Sequence, residues 1–173
     1  MRIGKELVSL RSVLGSWFFL SISLTAQEST NLRQTCASLN NIILTDTVIS
    51  ISEVVDANSF SPANSSNLLD TPAFCRVVGV TEPAINFEVW LPLSNWNGKY
   101  NGVGNGGMAG VISYSAMAAA LGRGYATAST DTGHDQSGGL FDASWASGRP
   151  DLIEDFGHRG LHVTTTNAKA ITE

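Results

Sequence analysis

The stretch Lys99-Tyr-Asn-Gly-Val-Gly-Asn-Gly-Gly-Met-Ala-Gly110 decides the fold of this chain. It follows an alternating strand pattern, Ile85-Asn-Phe-Glu-Val-Trp-Leu91, and leads into an alanine-rich helix pattern at residues 111–121. Glycines between a strand and a helix leave backbone N–H groups unshielded, which is the geometry that binds a phosphate or a developing oxyanion. No Gly-x-Ser-x-Gly nucleophile motif occurs in the 173 residues. The pattern therefore predicts an oxyanion-binding loop without its nucleophile.

The overall composition predicts a globular domain. Hydrophobic residues make up 43% of the chain and charged residues 14%, with a net charge of −5. Ten lysines and arginines against 15 acidic residues leave no basic patch, so we do not expect a nucleic acid partner.

Residues 1–26 have the pattern of a secretory signal peptide. Arg2, Lys5 and Arg11 precede an apolar run at residues 13–24, and Ala26 offers a cleavage point. A retained membrane anchor is the alternative, but a run of this length is too short to span a bilayer. We therefore expect residues 27–173 to form the mature chain, secreted or periplasmic and free of the membrane once the signal is cleaved.

Cys36 and Cys75 are the only cysteines. In an exported chain they would meet an oxidising compartment, which favours a disulfide. A metal pair or a catalytic thiol is the alternative, but the sequence has no Cys-x-x-Cys spacing and no histidine near either cysteine.

The order of the predicted elements indicates an α/β fold. Strand patterns occupy residues 42–52, which Asp46 breaks into one or two strands, and residues 73–80, 85–91, 99–103 and 124–130. Helix patterns occupy residues 31–41, 111–121 and those from 159 onward. The last helix pattern reaches Glu173 without a capping residue, and such a unit needs a further parallel strand for that helix to cover. We therefore expect an incomplete sheet with flanking helices, and more protein beyond this segment.

The glycine loop has three interpretations. Gly102, Gly104 and Gly107 match the Gly-x-Gly-x-x-Gly spacing of a dinucleotide site, but no clear acidic residue follows about 20 residues later. A purely structural glycine turn is the second. The third, which we favour, is the oxyanion loop after the third core strand of an α/β-hydrolase. Gly106 and Gly107 are then best placed to donate N–H groups to the oxyanion.

Three histidines and their neighbours could carry other chemistry. Asp131, His134 and Asp135 follow a predicted strand, where a catalytic pair or a metal cluster is conceivable, although a turn held by hydrogen bonds is favoured. His158 and His162 have His-x-x-x-His spacing, but the glutamate of a zinc-protease motif is missing. We expect no metal at these residues, and a histidine-based metallohydrolase remains the less favoured alternative.

Several motifs occur together in a recognisable order. They are Phe74-Cys-Arg, Phe87-Glu-Val-Trp-Leu-Pro92, Trp96-Asn-Gly-Lys-Tyr100, Gly104-Asn-Gly-Gly-Met-Ala-Gly110, Ser129-Thr-Asp-Thr-Gly-His134 and Asp155-Phe-Gly-His-Arg159. In this order they resemble the tannase/feruloyl esterase family, over a span from about Cys36 to Glu173.

The resemblance implies the N-terminal part of a secreted α/β-hydrolase with a large inserted lid that often binds calcium. It implies cleavage of small aromatic carboxylic esters by a Ser-His-Asp triad, whose serine lies in a Gly-Cys-Ser-x-Gly-Gly motif. This chain contains neither that motif nor the lid, so none of its residues is expected to belong to the triad. The oxyanion donor carries over to Gly106 or Gly107, and the early cysteine pairing to Cys36 and Cys75.

We accordingly expect no cofactor in this chain and no ester turnover by it alone. The alternative is a non-catalytic secreted fragment or binding domain.

Overall fold

The computed structural model describes residues 31–62, 70–136 and 138–173. In these residues five strands form one mixed sheet in the order β1-β2-β3-β5-β4. Helices pack on both faces of this sheet, which confirms the predicted α/β architecture. The strands are β1 (Thr47–Val55), β2 (Phe74–Thr81), β3 (Ile85–Pro92), β4 (Tyr100–Val103) and β5 (Ala126–Thr130), and the helices are α1 (residues 31–38), α2 (Tyr114–Leu121), α3 (Pro150–Glu154) and α4 (Gly160–Thr172).

The only parallel pair in the described sheet joins β4 and β5, with α2 as the crossover between them. Their register places Val103 opposite Ser129, so the two carboxyl ends meet at one edge of the sheet. The glycine loop after β4 and the turn after β5 therefore lie side by side. Asn97 and Gly98 lie in the connection from β3 to β4, which makes no hairpin because β5 lies between these strands.

Both faces of the sheet are covered by apolar side chains, as expected for strands between helices. On one face Phe87 and Val89 of β3 pack with Ala168 and Ile171 of α4. On the other face Trp90 and Phe74 pack with Phe60 and with Met117 and Leu121 of α2. Met117 is fully buried in this core.

The two cysteines form the predicted disulfide, with an S–S distance of 2.01 Å. Cys36 lies on α1 and Cys75 on β2, so the bond attaches the first described helix to the sheet. No helix in residues 31–62, 70–136 and 138–173 is long and apolar enough to cross a bilayer. The predicted signal peptide, residues 1–26, lies outside the described residues.

Several predicted boundaries are wrong. The first strand begins at Thr47 rather than residue 42, because Asp46 takes a left-handed turn with φ 50°. Helix α2 begins at Tyr114, three residues later than predicted. Gly122 is helical at φ −60°, and Gly124 supplies the positive φ of 79° that follows the helix.

The last helical region also begins earlier than predicted. It starts with α3 at Pro150 rather than at residue 159, and it continues through a π-helical turn, Asp155–Arg159, into α4. The turn lets Gly160 pack against Thr132, where a Cβ atom on the glycine would lie 3.0 Å from the threonine Cα. The helix therefore lies directly beneath the turn that follows β5.

Candidate active site

The glycine loop between β4 and α2 contains two positions at which the surrounding atoms leave no room for a side chain. Gly107 has φ +60°, and a Cβ atom there would lie 2.6 Å from the carbonyl oxygen of Leu140. A Cβ atom on Gly110 would lie 2.1 Å from the carbonyl oxygen of His134. Gly104 and Gly106 differ, since a Cβ atom on either would have no neighbour within 4 Å. Space beside Gly106 is therefore open.

Some backbone N–H groups of the loop donate hydrogen bonds within the protein, and others do not. Met108 N–H donates to the Leu140 carbonyl at 2.8 Å, and Ala109 N–H donates to the Gly106 carbonyl at 3.2 Å. The N–H groups of Gly106 and Gly107 have no acceptor among the residues that the structure describes. Both residues are exposed, so these two donors are accessible. Their role as oxyanion donors remains a prediction.

Side chains attach both ends of the loop to β5. Asn105 Nδ2 donates to the Thr130 carbonyl at 2.8 Å. Ser113 N–H donates to Ser129 Oγ at 3.0 Å, and Ser113 Oγ donates to the Gly104 carbonyl at 3.3 Å. The loop is thus attached to β5 at its start and at its end.

His134 supports the loop from below. Its side chain is buried, and Nε2 lies 3.0 Å from the Met108 carbonyl oxygen. The imidazole stacks on Trp145 with ring centroids 3.9 Å apart, and Phe156 meets it edge-on at 5.5 Å. These contacts agree with the interpretation of His134 as part of the scaffold.

Asp131 joins the end of β5 to β3. Its carboxylate accepts hydrogen bonds from Asn86 N–H at 2.9 Å, Asn86 Nδ2 at 2.6 Å and Gly133 N–H at 2.9 Å. Burial raises the pKa of Asp131, although the three hydrogen bonds oppose that shift. These three hydrogen bonds show that Asp131 holds the turn after β5 against β3.

His158 and His162 lie one turn apart on the helix with stacked rings 5.5 Å between centroids. Within the described part of the chain, no group of three or more His, Cys, Asp or Glu side chains could hold a metal ion. His162 borders a groove of about 380 Å³ between α4 and the start of β1, which none of the glycine-loop residues lines. The groove that His162 borders is therefore separate from the loop.

A small open cavity of about 180 Å³ lies at the carboxyl ends of β4 and β5. Gly104 and Asn105 line its loop side, and Phe156 and Leu161 supply an apolar wall. In open parallel sheets ligands bind at this edge of the strands.

A buried carboxylate, Glu88, anchors α2 and was not identified from the sequence. Arg76 donates to it from Nε at 2.9 Å and from Nη2 at 2.6 Å, Trp90 Nε1 donates at 2.9 Å, and the Tyr114 hydroxyl donates at 3.0 Å. Burial alone would lower the pKa of Arg76, but the hydrogen bonds and charge of Glu88 outweigh it and raise that pKa. Burial and the Glu88 charge raise the pKa of Tyr114 to about 12. Because Tyr114 begins α2, this network fixes the helix that follows the glycine loop.

Comparison with known proteins finds esterases that are similar in sequence to this chain. The chain is 46% identical over 140 residues to an uncharacterised esterase of Xanthomonas campestris, covering 79% of this chain and 24% of that protein. It is 32% identical over 178 aligned positions to a probable feruloyl esterase B-1 of Aspergillus fumigatus, covering 91% of this chain and 33% of the relative. The chain thus spans about a quarter to a third of the length of these relatives.

Solved structures and a family model give the same assignment. The crystal structure of feruloyl esterase B from Aspergillus oryzae superposes with a TM-score of 0.68 at 31% identity, covering 81% of this chain and 28% of that one. The family model described as tannase and feruloyl esterase matches residues 67–173, which include β2 through β5 and the whole glycine loop. The chain therefore belongs to the tannase and feruloyl esterase family.

Proposed function

We propose that this chain supplies the oxyanion-binding part of a serine ester hydrolase that cleaves small aromatic carboxylic esters, such as feruloyl or galloyl esters. The observation that carries the proposal is the pair of accessible N–H groups on Gly106 and Gly107, which lack an acceptor in the described residues. Gly106 directly follows Asn105, which lines a cavity at the carboxyl edge of a parallel strand pair, and the chain belongs to an esterase family.

In the proposed reaction, a serine contributed from outside this chain attacks the acyl carbonyl carbon while a histidine accepts its proton. The carbonyl oxygen becomes an oxyanion as the tetrahedral intermediate forms. The N–H groups of Gly106 and Gly107 donate hydrogen bonds to this oxygen. Loss of one such donor typically lowers kcat by about 10²- to 10³-fold.

The rigidity of the loop supports this role. Oxyanion donors are most effective when they need no reorganisation as charge develops. Asn105 and Ser113 fix the ends of the loop to β5, and the Leu140 carbonyl fixes Met108 N–H near its centre. The open donors are therefore presented by a loop held at three points.

The aromatic nature of the substrate follows from the family and is supported by the surface beside the loop. Phe156 and Leu161 form one apolar wall of the cavity. Met108 and Leu140, which share a backbone hydrogen bond, expose 39% and 43% of their surface, and the adjacent Phe141 exposes 84%. Apolar groups at this place would favour the ring of an aromatic acid over a charged or sugar moiety.

Two further parts of the proposal concern the chain by itself. We propose that it is exported to the periplasm or the medium, and that it does not turn over esters alone, because an oxyanion donor without a nucleophile has no intermediate to stabilise. Serine acyl transfer needs no cofactor, and none is assigned to this chain.

The test joins this chain to the remainder of the Xanthomonas campestris esterase, in place of the matching part of that protein. Hydrolysis of methyl ferulate is measured for the joined protein and for the 173-residue chain. We expect turnover by the joined protein, inhibited by a serine-directed phosphonate, and none by the chain. Saturable, phosphonate-sensitive turnover by the chain alone would contradict the proposal.

A matched pair of variants tests the donors. Gly106→Ala and Gly157→Ala each add a methyl group to open space, and Gly157 does not line the cavity beside the loop. Only the methyl group at position 106 lies beside the proposed donors, so we expect kcat/KM for methyl ferulate to fall at least about tenfold for Gly106→Ala and little for Gly157→Ala. Equal values for the two variants would contradict the assignment.

A further inference from the structure

We propose that His134 is a positioning residue that orients and polarises the Gly107 N–H. It acts through two hydrogen-bonded peptide groups, the one between Met108 and Ala109 and the one between Gly106 and Gly107. The inference deepens the proposed function, since the N–H it controls is one of the two proposed oxyanion donors. We call this chain of hydrogen bonds the His134 relay, which consists of His134, Met108, Ala109, Gly106 and Gly107.

The first link of the relay joins the imidazole to the loop. His134 Nε2 lies 3.0 Å from the Met108 carbonyl oxygen. A carbonyl oxygen can only accept, so Nε2 carries the proton and donates. The ring cannot turn away easily, because it stacks on Trp145 at 3.9 Å and its Nδ1 lies 3.3 Å from Thr132 Oγ1.

The second link passes through the peptide group between Met108 and Ala109. In a planar trans peptide the C=O and N–H bonds point in opposite directions. With its carbonyl held by His134, this group directs Ala109 N–H to the opposite side, where it donates to the Gly106 carbonyl at 3.2 Å. The orientation that His134 sets is thus passed on to the next peptide group.

The third link is the peptide group between Gly106 and Gly107. Its carbonyl oxygen accepts from Ala109 N–H, so its own N–H, which belongs to Gly107, points away from Ala109. This N–H has no acceptor in the described residues, and Gly107 is exposed. The relay therefore ends on an outward-facing donor.

Hydrogen bonds in a chain polarise one another, so each link makes the next N–H a stronger donor. The Leu140 carbonyl holds Met108 N–H at 2.8 Å and prevents the peptide group before Met108 from rotating. His134 is thereby connected to the proposed site without touching substrate, which makes it a positioning residue rather than a catalytic one.

A purely structural role for His134 is the competing explanation, because its backbone also packs closely against Gly110. Two variants separate these explanations. His134→Phe keeps an aromatic ring against Trp145 but has no N–H for the Met108 carbonyl. His134→Gln loses the ring but keeps an amide N–H near the position of Nε2.

The experiment records amide NMR spectra of the isotopically labelled 173-residue chain and its variants. In His134→Phe we expect the Gly107 and Ala109 amide protons to move upfield, and Ala109 to exchange its hydrogen roughly fivefold faster, the factor expected when one neutral hydrogen bond is lost. In His134→Gln both resonances should return toward their wild-type positions. His158→Phe, which alters an exposed histidine that stacks on His162 rather than on the loop, serves as the control.

A Gly107 shift in His134→Phe no larger than in His158→Phe, or failure of His134→Gln to restore it, would overturn the relay. If His134→Phe does not fold, the test uses the wild-type chain. We expect a scalar coupling across the hydrogen bond, between the Ala109 nitrogen and the Gly106 carbonyl carbon. The absence of this coupling would overturn the relay. Because these readouts need no ester turnover, their failure is distinguishable from failure of the proposed function.

Discussion

Replacing Glu88 by leucine tests the buried ionic network that holds α2 on the sheet. Glu88 is only 3% exposed and accepts four hydrogen bonds, two from Arg76 and one each from Trp90 and Tyr114. Leucine would leave a largely buried guanidinium, an indole N–H and a phenol without this acceptor. Removing one partner of a buried ion pair typically costs about 3–5 kcal/mol. We expect Glu88→Leu to lower the free energy of unfolding by that amount.

Glu53 provides the matched control. It contacts the same guanidinium at 3.2 Å, but its side chain is 53% exposed. Exposed ion pairs contribute about 0–1 kcal/mol, so Glu53→Gln should change the free energy of unfolding by less than about 1 kcal/mol. The double variant Arg76→Met, Glu88→Leu leaves no buried cation and should be more stable than Glu88→Leu alone by about 1–2 kcal/mol.

The assay is urea denaturation followed by far-UV circular dichroism, with the free energy of unfolding extrapolated to water. The reasoning would be refuted if Glu88→Leu cost no more than Glu53→Gln. It would also be refuted if the double variant were less stable than Glu88→Leu.

Three other predictions concern the same fold. Replacing Cys36 and Cys75 by alanine opens a loop with a sequence separation of 39 residues and should lower the free energy of unfolding by about 4 kcal/mol; a loss below about 1 kcal/mol in urea denaturation would count against it. Because the pKa of Tyr114 is raised to about 12, the stability that its neutral phenol contributes is fully present below about pH 10 and lost as the pH rises through about 12. The difference in unfolding free energy between wild type and Tyr114→Phe should therefore shrink across that range, and a constant difference would contradict the shift. Gly107→Ala should cost at least about 1–2 kcal/mol because of its positive φ and the nearby Leu140 carbonyl, whereas Gly106→Ala should be nearly neutral; equal melting temperatures would contradict this.

The sequence predicts the order of elements well where local pattern and tertiary environment agree. The alternation at residues 85–91 identifies β3, and the glycine loop between β4 and α2 lies where it was expected. The β-branched residues at 42–45 favour a strand locally, but the left-handed turn at Asp46 ends that run before the sheet begins. The sequence does indicate a break at Asp46, but whether residues 42–45 join the sheet depends on contacts that a local pattern does not contain.

The candidate site shows the same division. The sequence spacing identifies Gly106 and Gly107 as candidate donors. It cannot show that a side chain at position 107 would collide with the carbonyl of Leu140, which lies in a distant loop, whereas position 106 has open space beside it. The network around Glu88 was missed because its main partner, Arg76, lies on a neighbouring strand. Their diagonal placement appears only once the β2–β3 register pairs Arg76 with Trp90.

The central claim is that the N–H groups of Gly106 and Gly107 bind the oxyanion of a tetrahedral intermediate. The most direct measurement is a crystal structure of this chain joined to the serine-bearing remainder of the Xanthomonas campestris esterase, with a phosphonate bound to the serine. We predict that one phosphonate oxygen lies about 2.7–3.1 Å from the nitrogens of both Gly106 and Gly107. A phosphonate oxygen bound by other donors, with either glycine nitrogen beyond about 3.5 Å, would contradict the account.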